Sequence, residues 1–201
     1  MRKFVQISTL ASFLVCLLTF QVVEAQVVLK LNLEKSTMTI DGTSTLHDWT
    51  SKVNQIEGQI EVADKVVKKL SQGAKFDKVV FAAEVKSIES GRGNTMDNRT
   101  YEALKGDEHP QVTFTLVDGS LSQIKGNEFT MNAKGDLSIA GVTKPIELEV
   151  NGKQIDKETF TFSGSKGIDM TEFSIKPPTA MFGTIETGKD VTIKFDLVFN
   201  R

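Results

Sequence analysis

The sequence has few of the residues on which covalent cross-links, metal sites and most catalysis depend. It contains one cysteine, two histidines and one tyrosine among 201 residues. A disulfide needs two cysteines, and a zinc site needs several cysteine or histidine ligands, so we expect neither a disulfide nor a bound metal. Lysine and arginine total 24 against 26 acidic residues, with no long basic run. This balance argues against a nucleic acid as partner.

The sequence also lacks an apolar run long enough to cross a membrane. Its densest run, residues 10–20, has 11 residues, whereas a spanning helix needs about 20. Two basic residues precede this run, and a Val-Glu-Ala tripeptide ends at Ala25. This is the layout of a secretory signal peptide. We therefore expect residues 1–25 to be removed and residues 26–201 to fold as one periplasmic or secreted domain.

The only cysteine, Cys16, lies within the predicted signal peptide. A lipoprotein signal places a small residue directly before the lipidated cysteine, and Val15 is not small. Lipidation of Cys16 is therefore the lesser alternative. Cleavage after Ala25 would leave a mature domain without a thiol, which could not form wrong disulfides in an oxidising compartment.

What the sequence has in abundance is alternation of apolar and polar residues with a period of two. In residues 129–139, every second residue is apolar or glycine and the residues between them are polar. Such a pattern predicts an antiparallel strand with one dry and one wet face. The clearest runs are 112–116, 129–139, 146–150, 159–163 and 191–199, and weaker runs are 27–33, 37–43, 56–62 and 78–88.

Turns containing glycine are predicted between these runs. The predicted turns are Asp118-Gly119-Ser120, Lys125-Gly126-Asn127, Asn151-Gly152-Lys153 and Ser163-Gly164-Ser165. Residues 95–105 lack the alternation and carry helix signals, with Thr95 as a cap and Gly106 at the end. A weaker helical signal covers residues 65–71. About eight strands with one or two short helices predict an all-β barrel or sandwich.

Catalytic motifs are scarce. Ser44, His47 and Asp48 are close in sequence, but neighbouring strand residues point to opposite faces, so a polar strand end is favoured over a triad. The sequence has no phosphate loop, dinucleotide fingerprint or HExxH motif, and we expect no cofactor. We predict that the protein is not an enzyme. The alternative is an acid–base pair formed by His47 with Asp48 or Asp41.

Four stretches of the sequence, in this order, resemble the YceI-like family of exported proteins. They are Ser-Thr-Leu-His-Asp-Trp at 44–49, Met-Asp-Asn-Arg-Thr-Tyr-Glu-Ala-Leu at 96–104, Gly-Asp-Leu-Ser-Ile-Ala-Gly-Val-Thr-Lys-Pro-Ile at 135–146 and Gly-Ile-Asp-Met-Thr-Glu-Phe at 167–173. The third stretch is the most specific. The resemblance implies an extended, lipocalin-like, eight-stranded antiparallel β-barrel over residues 26–201. It also implies that the barrel lumen holds a polyisoprenoid, an isoprenoid quinone or another lipid, for storage or transport.

Residues on the dry faces of the predicted strands are the candidates for contact with such a ligand. The lumen candidates are Trp49, Phe81, Val112, Phe114, Phe129, Met131, Leu137, Ile139, Phe160, Phe162, Phe195 and Leu197. Small residues on the same faces are predicted to leave room between them, namely Gly42, Ala83, Ala133 and Gly135.

The long irregular stretch 170–187 is a candidate lid over the barrel mouth. The candidates for the mouth or lid are His47, Phe173, Met181 and Phe182. The same stretch also fits a different function, because apolar side chains in a long loop can bind a partner. A filled barrel serving as a structural or interaction module of the cell envelope is therefore the alternative. The sequence leaves the oligomeric state open, including a homodimer.

Overall fold

Strands make up most of the folded chain. The structure is a computed structural model that describes residues 25–201, so the predicted signal peptide apart from Ala25 lies outside the described residues, Cys16 included. The strands are β1 (Gln26–Leu31), β2 (Thr37–Ser44), β3 (Trp49–Val53), β4 (Ile56–Ala63), β5 (Lys78–Glu84), β6 (Ile88–Glu89), β7 (Gln111–Lys125), β8 (Glu128–Ile139), β9 (Val142–Gln154), β10 (Thr159–Asp169), β11 (Thr179–Ala180) and β12 (Ile185–Asn200). The helices are α1 (Asp64–Lys68) and α2 (Asn94–Ala103), and 3₁₀ turns occupy Leu33–Lys35, Val85–Ser87, Met170–Phe173 and Met181–Gly183. Within residues 25–201, no helix is both long enough and apolar enough to span a membrane.

Eight of the strands close into an antiparallel barrel. Their order around the barrel is β1-β4-β5-β7-β8-β9-β10-β12, and β12 returns to β1 through the pairs Lys30–Asn200 and Leu31–Phe199. The barrel is elongated because β7 has 15 residues and β12 has 16. At ~3.3 Å per residue, these strands are about 50 Å long. The prediction of an extended, lipocalin-like, eight-stranded all-β barrel is thereby confirmed.

A 3₁₀ turn separates β1 from β2, and this break lets both strands pair with β12. The Asn32 side chain accepts a hydrogen bond from the Lys35 backbone N–H at 3.2 Å, and the Ser36 hydroxyl donates to the Asn32 carbonyl at 2.7 Å. β1 then meets only the last residues of β12, whereas β2 pairs with residues 187–196 of the same strand. β3 and β6 continue the sheet from β2 and extend the wall at this end of the barrel.

Five phenylalanine rings and helix α1 close the other end of the barrel. The ring centroid of Phe162 lies 5.6 Å from that of Phe199 and 5.8 Å from that of Phe76. Phe129 and Phe160 lie 6.1 and 6.4 Å from the same ring. Edge-to-face and stacked pairs at these distances add to the free energy gained by burying the rings. Helix α1 adds two buried valines to the same core.

Helix α2 is fixed to the loop before it by a buried carboxylate. Asp97, which is 8% exposed, accepts hydrogen bonds from the backbone N–H of Ser90 at 2.8 Å and from the Ser90 hydroxyl at 2.6 Å. A buried carboxylate needs such donors, because an unpaired charge away from water is costly. The loop that carries Arg92 is therefore held against the first turn of α2.

The structure has both predicted helices, with small changes in their ends. The predicted helix 95–105 spans residues 94–103, and the weaker one at 65–71 spans residues 64–68. The left-handed residue after α2 is Lys105, with φ 54°, instead of the predicted Gly106. Gly106 instead makes room for the side chain of Val85, because a Cβ at position 106 would lie 2.9 Å from Cγ1 of Val85.

Three of the four predicted glycine turns are wrong, because their glycines lie inside strands. Only Lys125-Gly126-Asn127 joins two strands, β7 and β8. Gly152 lies within β9, where an added Cβ would be 2.2 Å from the Phe129 ring, and Gly164 lies within β10, where it would be 2.8 Å from the Phe195 ring. Both glycines thus allow a ring to cross the strand closely.

The third wrong turn, Asp118-Gly119-Ser120, follows a β-bulge in β7. Val117 is the extra residue between two register pairs of β7 and β8, and it is 68% exposed. The inward-facing residues of β7 are even-numbered up to Leu116 and odd-numbered at Gly119 and Leu121, and a second irregularity before Lys125 makes Ile124 the next inward residue. This change of phase interrupts the period of two, and the sequence pattern therefore indicates a strand end where the strand continues.

We expect Gly152→Ala to destabilise the protein by about 1–3 kcal/mol, because the added methyl group would overpack a filled site. The Phe129 ring cannot simply move away, since it is 2% exposed and packed against two other rings. Gly167→Ala is the matched control, because a Cβ at that strand position would meet nothing within 4 Å. Urea denaturation of both variants measures the difference, and equal stabilities would contradict the packing role of Gly152.

Candidate functional site

Two adjacent cavities lie inside the barrel. The smaller one has a volume of about 150 Å³ and reaches the phenylalanine cluster of the closed end. The larger one has a volume of about 480 Å³ and lies at the end that carries α2 and β3. Four residues line both cavities, namely Met38, Ala83, Val112 and Ile193. The two cavities therefore meet at these side chains and together follow the barrel axis.

The smaller cavity presents only apolar surface. Its walls come from residues of β2, β4, β5, β7, β8, β9, β10 and β12. Lys166 also lines it, and because the exposed surface is apolar, the lysine contributes its aliphatic stem and keeps its ammonium group outside. A site of this kind favours apolar ligands, since it offers a polar group no hydrogen bond.

The larger cavity combines apolar walls with a polar rim. Trp49, Ile139 and Ile168 are among its apolar residues. Arg92 and Arg99 are the only charged residues that line it in the described part of the chain, and no carboxylate lines it there. The rim therefore offers hydrogen-bond donors and positive charge beside an apolar interior.

His47 is part of this rim and is hydrogen-bonded on both ring nitrogens. The Arg92 guanidinium donates to Nε2 at 2.7 Å, and Nδ1 lies 3.0 Å from the Asp48 backbone carbonyl. Because a guanidinium only donates and a carbonyl only accepts, Nδ1 carries the proton. The Asp41 carboxylate instead accepts from Thr50 at 2.6 Å and pairs with Lys194 at 2.8 Å. The Lys194 ammonium is the main reason that the pKa of Asp41 is lowered.

Three segments meet at the mouth of the larger cavity. The Arg99 guanidinium, on α2, donates to the backbone carbonyl of Thr179 in β11. The N–H of Thr45, after β2, donates to the Glu186 carbonyl in β12 at 3.0 Å. These contacts hold the β11–β12 hairpin between α2 and the β2–β3 connection, and Thr179 and Ile185 line the cavity.

The structure brings most of the predicted lumen residues to these cavities. The smaller cavity is lined by Phe81, Phe114, Met131, Leu137, Phe162, Phe195 and Leu197, the larger one by Trp49 and Ile139, and both by Val112. Phe129 and Phe160 face inwards but lie deeper, in the aromatic cluster of the closed end. The alternation of residues thus predicts which side chains face the lumen. It does not distinguish those that line the cavities from those that pack in the closed end.

The predicted mouth and lid residues have different surroundings. His47 lines the larger cavity, whereas Phe173 is only 1% exposed and lies in the core beneath the rim. The Phe182 side chain is fully exposed and lines neither cavity. The side chain of Met181 lies outside the described part of the chain.

Two of the small dry-face residues do not leave free space. The Trp49 ring lies over Gly42, 2.2 Å from the position that a Cβ would take. The Phe114 ring lies over Gly135, 2.4 Å from the corresponding position. Ala83 lines both cavities, and Ala133 lines the smaller one. The glycines therefore let large rings lie flat against the wall, while the alanines leave room.

Several residues of the site were not among the predicted candidates. Met38 and Ile193 lie at the junction of the cavities, and Ile193 shares the dry face of the predicted run 191–199, so the alternation of residues could have assigned it to the lumen. Arg92 and Arg99 carry no periodic signal, because they reach the mouth through the loop before α2 and through α2 itself. Only the folded arrangement brings them to the cavity that His47 also lines.

The barrel wall is incompletely paired between β9 and β10. Residues 160–164 of β10 pair with residues 150–154 of β9, whereas the rest of β10 pairs only with β12 among the described strands. Lys166 bridges the gap, because its ammonium donates to the Glu147 carbonyl of β9 at 2.8 Å. One lysine thus holds the wall of the smaller cavity where the strand ladder ends.

The stability of the rim is expected to depend on the charge of Asp169. Its pKa is lowered to about 2, first by the Lys189 ammonium and then by the hydroxyl and N–H of Thr171. Because the folded-state pKa is depressed, this contribution is present above the unfolded value near 3.8 and is lost as pH falls towards 2. Thermal unfolding of wild type and Asp169→Asn between pH 5 and pH 2 tests this. The asparagine variant should lose less stability across that interval, and parallel curves would contradict the assignment.

The closed antiparallel barrel and its apolar lumen define a lipocalin-like β-barrel protein. The YceI-like domain model matches residues 29–199, and the chain therefore belongs to the YceI-like family, as its sequence motifs indicated. A search of curated proteins gives no match.

Solved structures of low sequence identity share this fold. BcnA from Burkholderia cenocepacia is 21% identical with a TM-score of 0.63, over 84% of this chain and 98% of that one. A polyisoprenoid-binding domain from Saccharophagus degradans, implicated in plant cell wall breakdown, is 13% identical with a TM-score of 0.64, over 88% and 98% of the two chains. The YceI protein of Campylobacter jejuni is 19% identical with a TM-score of 0.54, over 75% and 84%.

Proposed function

We propose that the protein is an exported carrier that holds one elongated apolar molecule in its barrel, for storage or transport across an aqueous compartment. The observation that carries this proposal is the pair of adjacent apolar cavities of about 480 and 150 Å³. An elongated apolar ligand that fills these cavities would make van der Waals contacts with their lining along the whole lumen.

The chemistry of the lining supports a polyisoprenoid or an isoprenoid quinone as the ligand. Such a chain is long, flexible and almost wholly apolar, and it fits a narrow lumen better than a compact molecule does. Burying a few hundred Å² of it at ~25 cal/mol per Å² would yield several kcal/mol before the cost of ordering the chain. One structural neighbour is described as a polyisoprenoid-binding domain, which is consistent with this class of ligand.

The rim of the larger cavity supports an orientation for this ligand. Arg92 and Arg99 are donors at the mouth, whereas the smaller cavity beyond the junction is wholly apolar. A polar head group would therefore remain at the mouth, where its oxygens could accept hydrogen bonds from the guanidinium groups. The tail would extend past Ala83 and Val112 towards the closed end.

We propose binding without catalysis. The hydrogen bonds of His47 to Arg92 and to the Asp48 backbone carbonyl support this, because a pair of His47 with Asp48 or Asp41 would need one of those carboxylates at the imidazole. Export is proposed from the signal-like residues 1–25 and from a mature chain that has no thiol to oxidise.

A second candidate is an envelope interaction module without a small ligand. The observation that favours it is Phe182, a large apolar side chain that is fully exposed. Native mass spectrometry of the protein purified from its own host, followed by organic extraction, separates the two functions. A stoichiometric apolar species of isoprenoid mass is expected for the carrier. Recovery of apoprotein alone, under conditions in which added isoprenoid quinone also fails to bind, would reject the carrier.

A further inference from the structure

Exposed apolar side chains surround the mouth of the larger cavity. Phe182 is fully exposed, Leu46 is 66% exposed and Met96 is 39% exposed. Leu46 and Met96 line the cavity itself. These three side chains come from the β11–β12 hairpin, the β2–β3 connection and α2, so separate segments bring apolar groups to one end of the barrel.

Phe182 occupies the tip of the β11–β12 hairpin. Ala180 pairs with Ile185, and the four residues between them form the turn. The backbone of Phe182 is left-handed, with φ 55° and ψ 33°. A bulky non-glycine residue adopts this conformation at a cost, and here no burial of the ring offsets it. An exposed phenylalanine in a strained turn is best explained by a contact that the isolated chain lacks.

Charge at the same mouth favours an anionic surface as the partner. Arg92 and Arg99 line the cavity beside these apolar groups, and no carboxylate lines it among the described residues. Apolar tips flanked by arginines match the interface of a bilayer, where acyl chains lie beneath phosphate groups. The phenylalanine cluster closes the opposite end of the barrel, so the mouth is the end through which a ligand can reach the lumen.

We propose that this mouth docks on the surface of an anionic lipid bilayer. Phe182 and Leu46 enter the interfacial region, while the two arginines meet lipid phosphates. The inference rests on the proposed carrier function, because an apolar ligand resides in membranes and not free in water. A docked mouth lets the ligand pass between bilayer and lumen without exposing its chain to solvent. Met96, on the facing helix, completes the apolar rim of that passage.

Sedimentation with vesicles tests the docking directly. The mature protein is mixed with vesicles of phosphatidylethanolamine and phosphatidylglycerol, and the bound fraction is compared between wild type and Phe182→Ser. Loss of one inserted phenylalanine should weaken partitioning by about tenfold or more. Raising the salt concentration, or replacing phosphatidylglycerol by phosphatidylcholine, should weaken it as well. Unchanged binding of Phe182→Ser would overturn the proposal.

A matched control is available in the same chain. Val117 and Ile155 are 68% and 52% exposed, but they lie in the β7 bulge and in the β9–β10 connection and line neither cavity. Val117→Ser with Ile155→Ser should bind vesicles as wild type does. If this control weakens binding as much as Phe182→Ser, the contact is non-specific and the proposal is wrong.

A second measurement keeps the test valid if Phe182→Ser folds poorly. In Phe182→Trp, the new indole should shift its emission to shorter wavelength on vesicles, after subtraction of the signal of Trp49 in wild type. No shift would overturn the docking. A dimer in analytical ultracentrifugation that Phe182→Ser abolishes would assign the surface to a second copy of this chain and would also overturn it.

These experiments distinguish failure of docking from failure of the carrier function. Vesicle binding is measured without added ligand, and ligand content is measured without vesicles. If the protein carries an isoprenoid but does not bind vesicles, the docking proposal is wrong and the carrier function stands. If the protein binds vesicles but neither carries nor accepts an apolar ligand, the carrier function is wrong.

Discussion

Ala83→Trp is expected to lower the retention of an apolar ligand by about tenfold or more. Ala83 is 6% exposed and lines both cavities, so an indole at this position would fill their junction. The indole would extend into the lumen, so we expect the barrel still to fold. Its free energy of unfolding should fall by no more than about 3 kcal/mol. The amount of isoprenoid recovered per protein should fall by about tenfold or more, measured by native mass spectrometry.

Ala82→Trp is the control for this experiment. Ala82 is the preceding residue of β5, so its side chain points to the opposite face of the strand. The same increase in side-chain volume on the outer surface should leave the ligand content at the level of wild type. A folded Ala83→Trp variant with the ligand content of wild type would show that the ligand lies elsewhere.

Phe162→Ala is expected to lower the free energy of unfolding by about 3–5 kcal/mol. Phe162 is 5% exposed, and four other phenylalanine rings lie within 6.4 Å of its centroid. Removing it loses the transfer free energy of the ring and its edge-to-face contacts, and leaves a hole at the closed end of the barrel. Urea denaturation of the purified mature domain measures the change.

Val117→Ala is the comparison for that measurement. The side chain of Val117 is 68% exposed at the bulge of β7, so its truncation should change stability by no more than about 0.5 kcal/mol. A loss below about 1 kcal/mol for Phe162→Ala would contradict the role of the phenylalanine cluster as the packed floor of the lumen.

The alternation of residues predicted the barrel and most of its inner surface. Inward-facing side chains recur with a period of two, and this period survives folding because each strand of the barrel has one dry face. Phe81, Phe114 and Leu137 could therefore be assigned to the lumen from their sequence pattern alone. Phe129 and Phe160 share the same pattern, but they belong to the packed floor, because periodicity carries no information on height along the barrel.

The glycines show why strand ends were harder to predict. A glycine permits either a positive φ or the close approach of a ring, and the sequence pattern around it is the same in both cases. Gly126, with φ 66°, makes a turn, whereas Gly152 lies under the Phe129 ring. At the Val117 bulge, the alternation of apolar and polar residues shifts by one position, and in the sequence this shift looks like the end of a strand.

The mouth of the barrel could be predicted from the sequence only in part, since His47 and the stretch 170–187 were the candidates for it. Arg92, Arg99 and Leu46 meet there because α2, the β2–β3 connection and the β11–β12 hairpin pack together. Each segment is irregular or short, and none has a periodic signal that specifies its neighbour. Phe182 was a candidate from its irregular stretch of sequence, whereas only the tertiary structure identifies Arg92, Arg99 and Leu46 as residues of the mouth.

A crystal structure of the protein purified from its own host would test the central claim most directly. We predict continuous electron density for one elongated apolar molecule that passes from the Arg92 rim, between Ala83 and Val112, into the smaller cavity. Side chains that fill both cavities, or separate water molecules in place of a chain, would contradict the claim that this lumen is a ligand site.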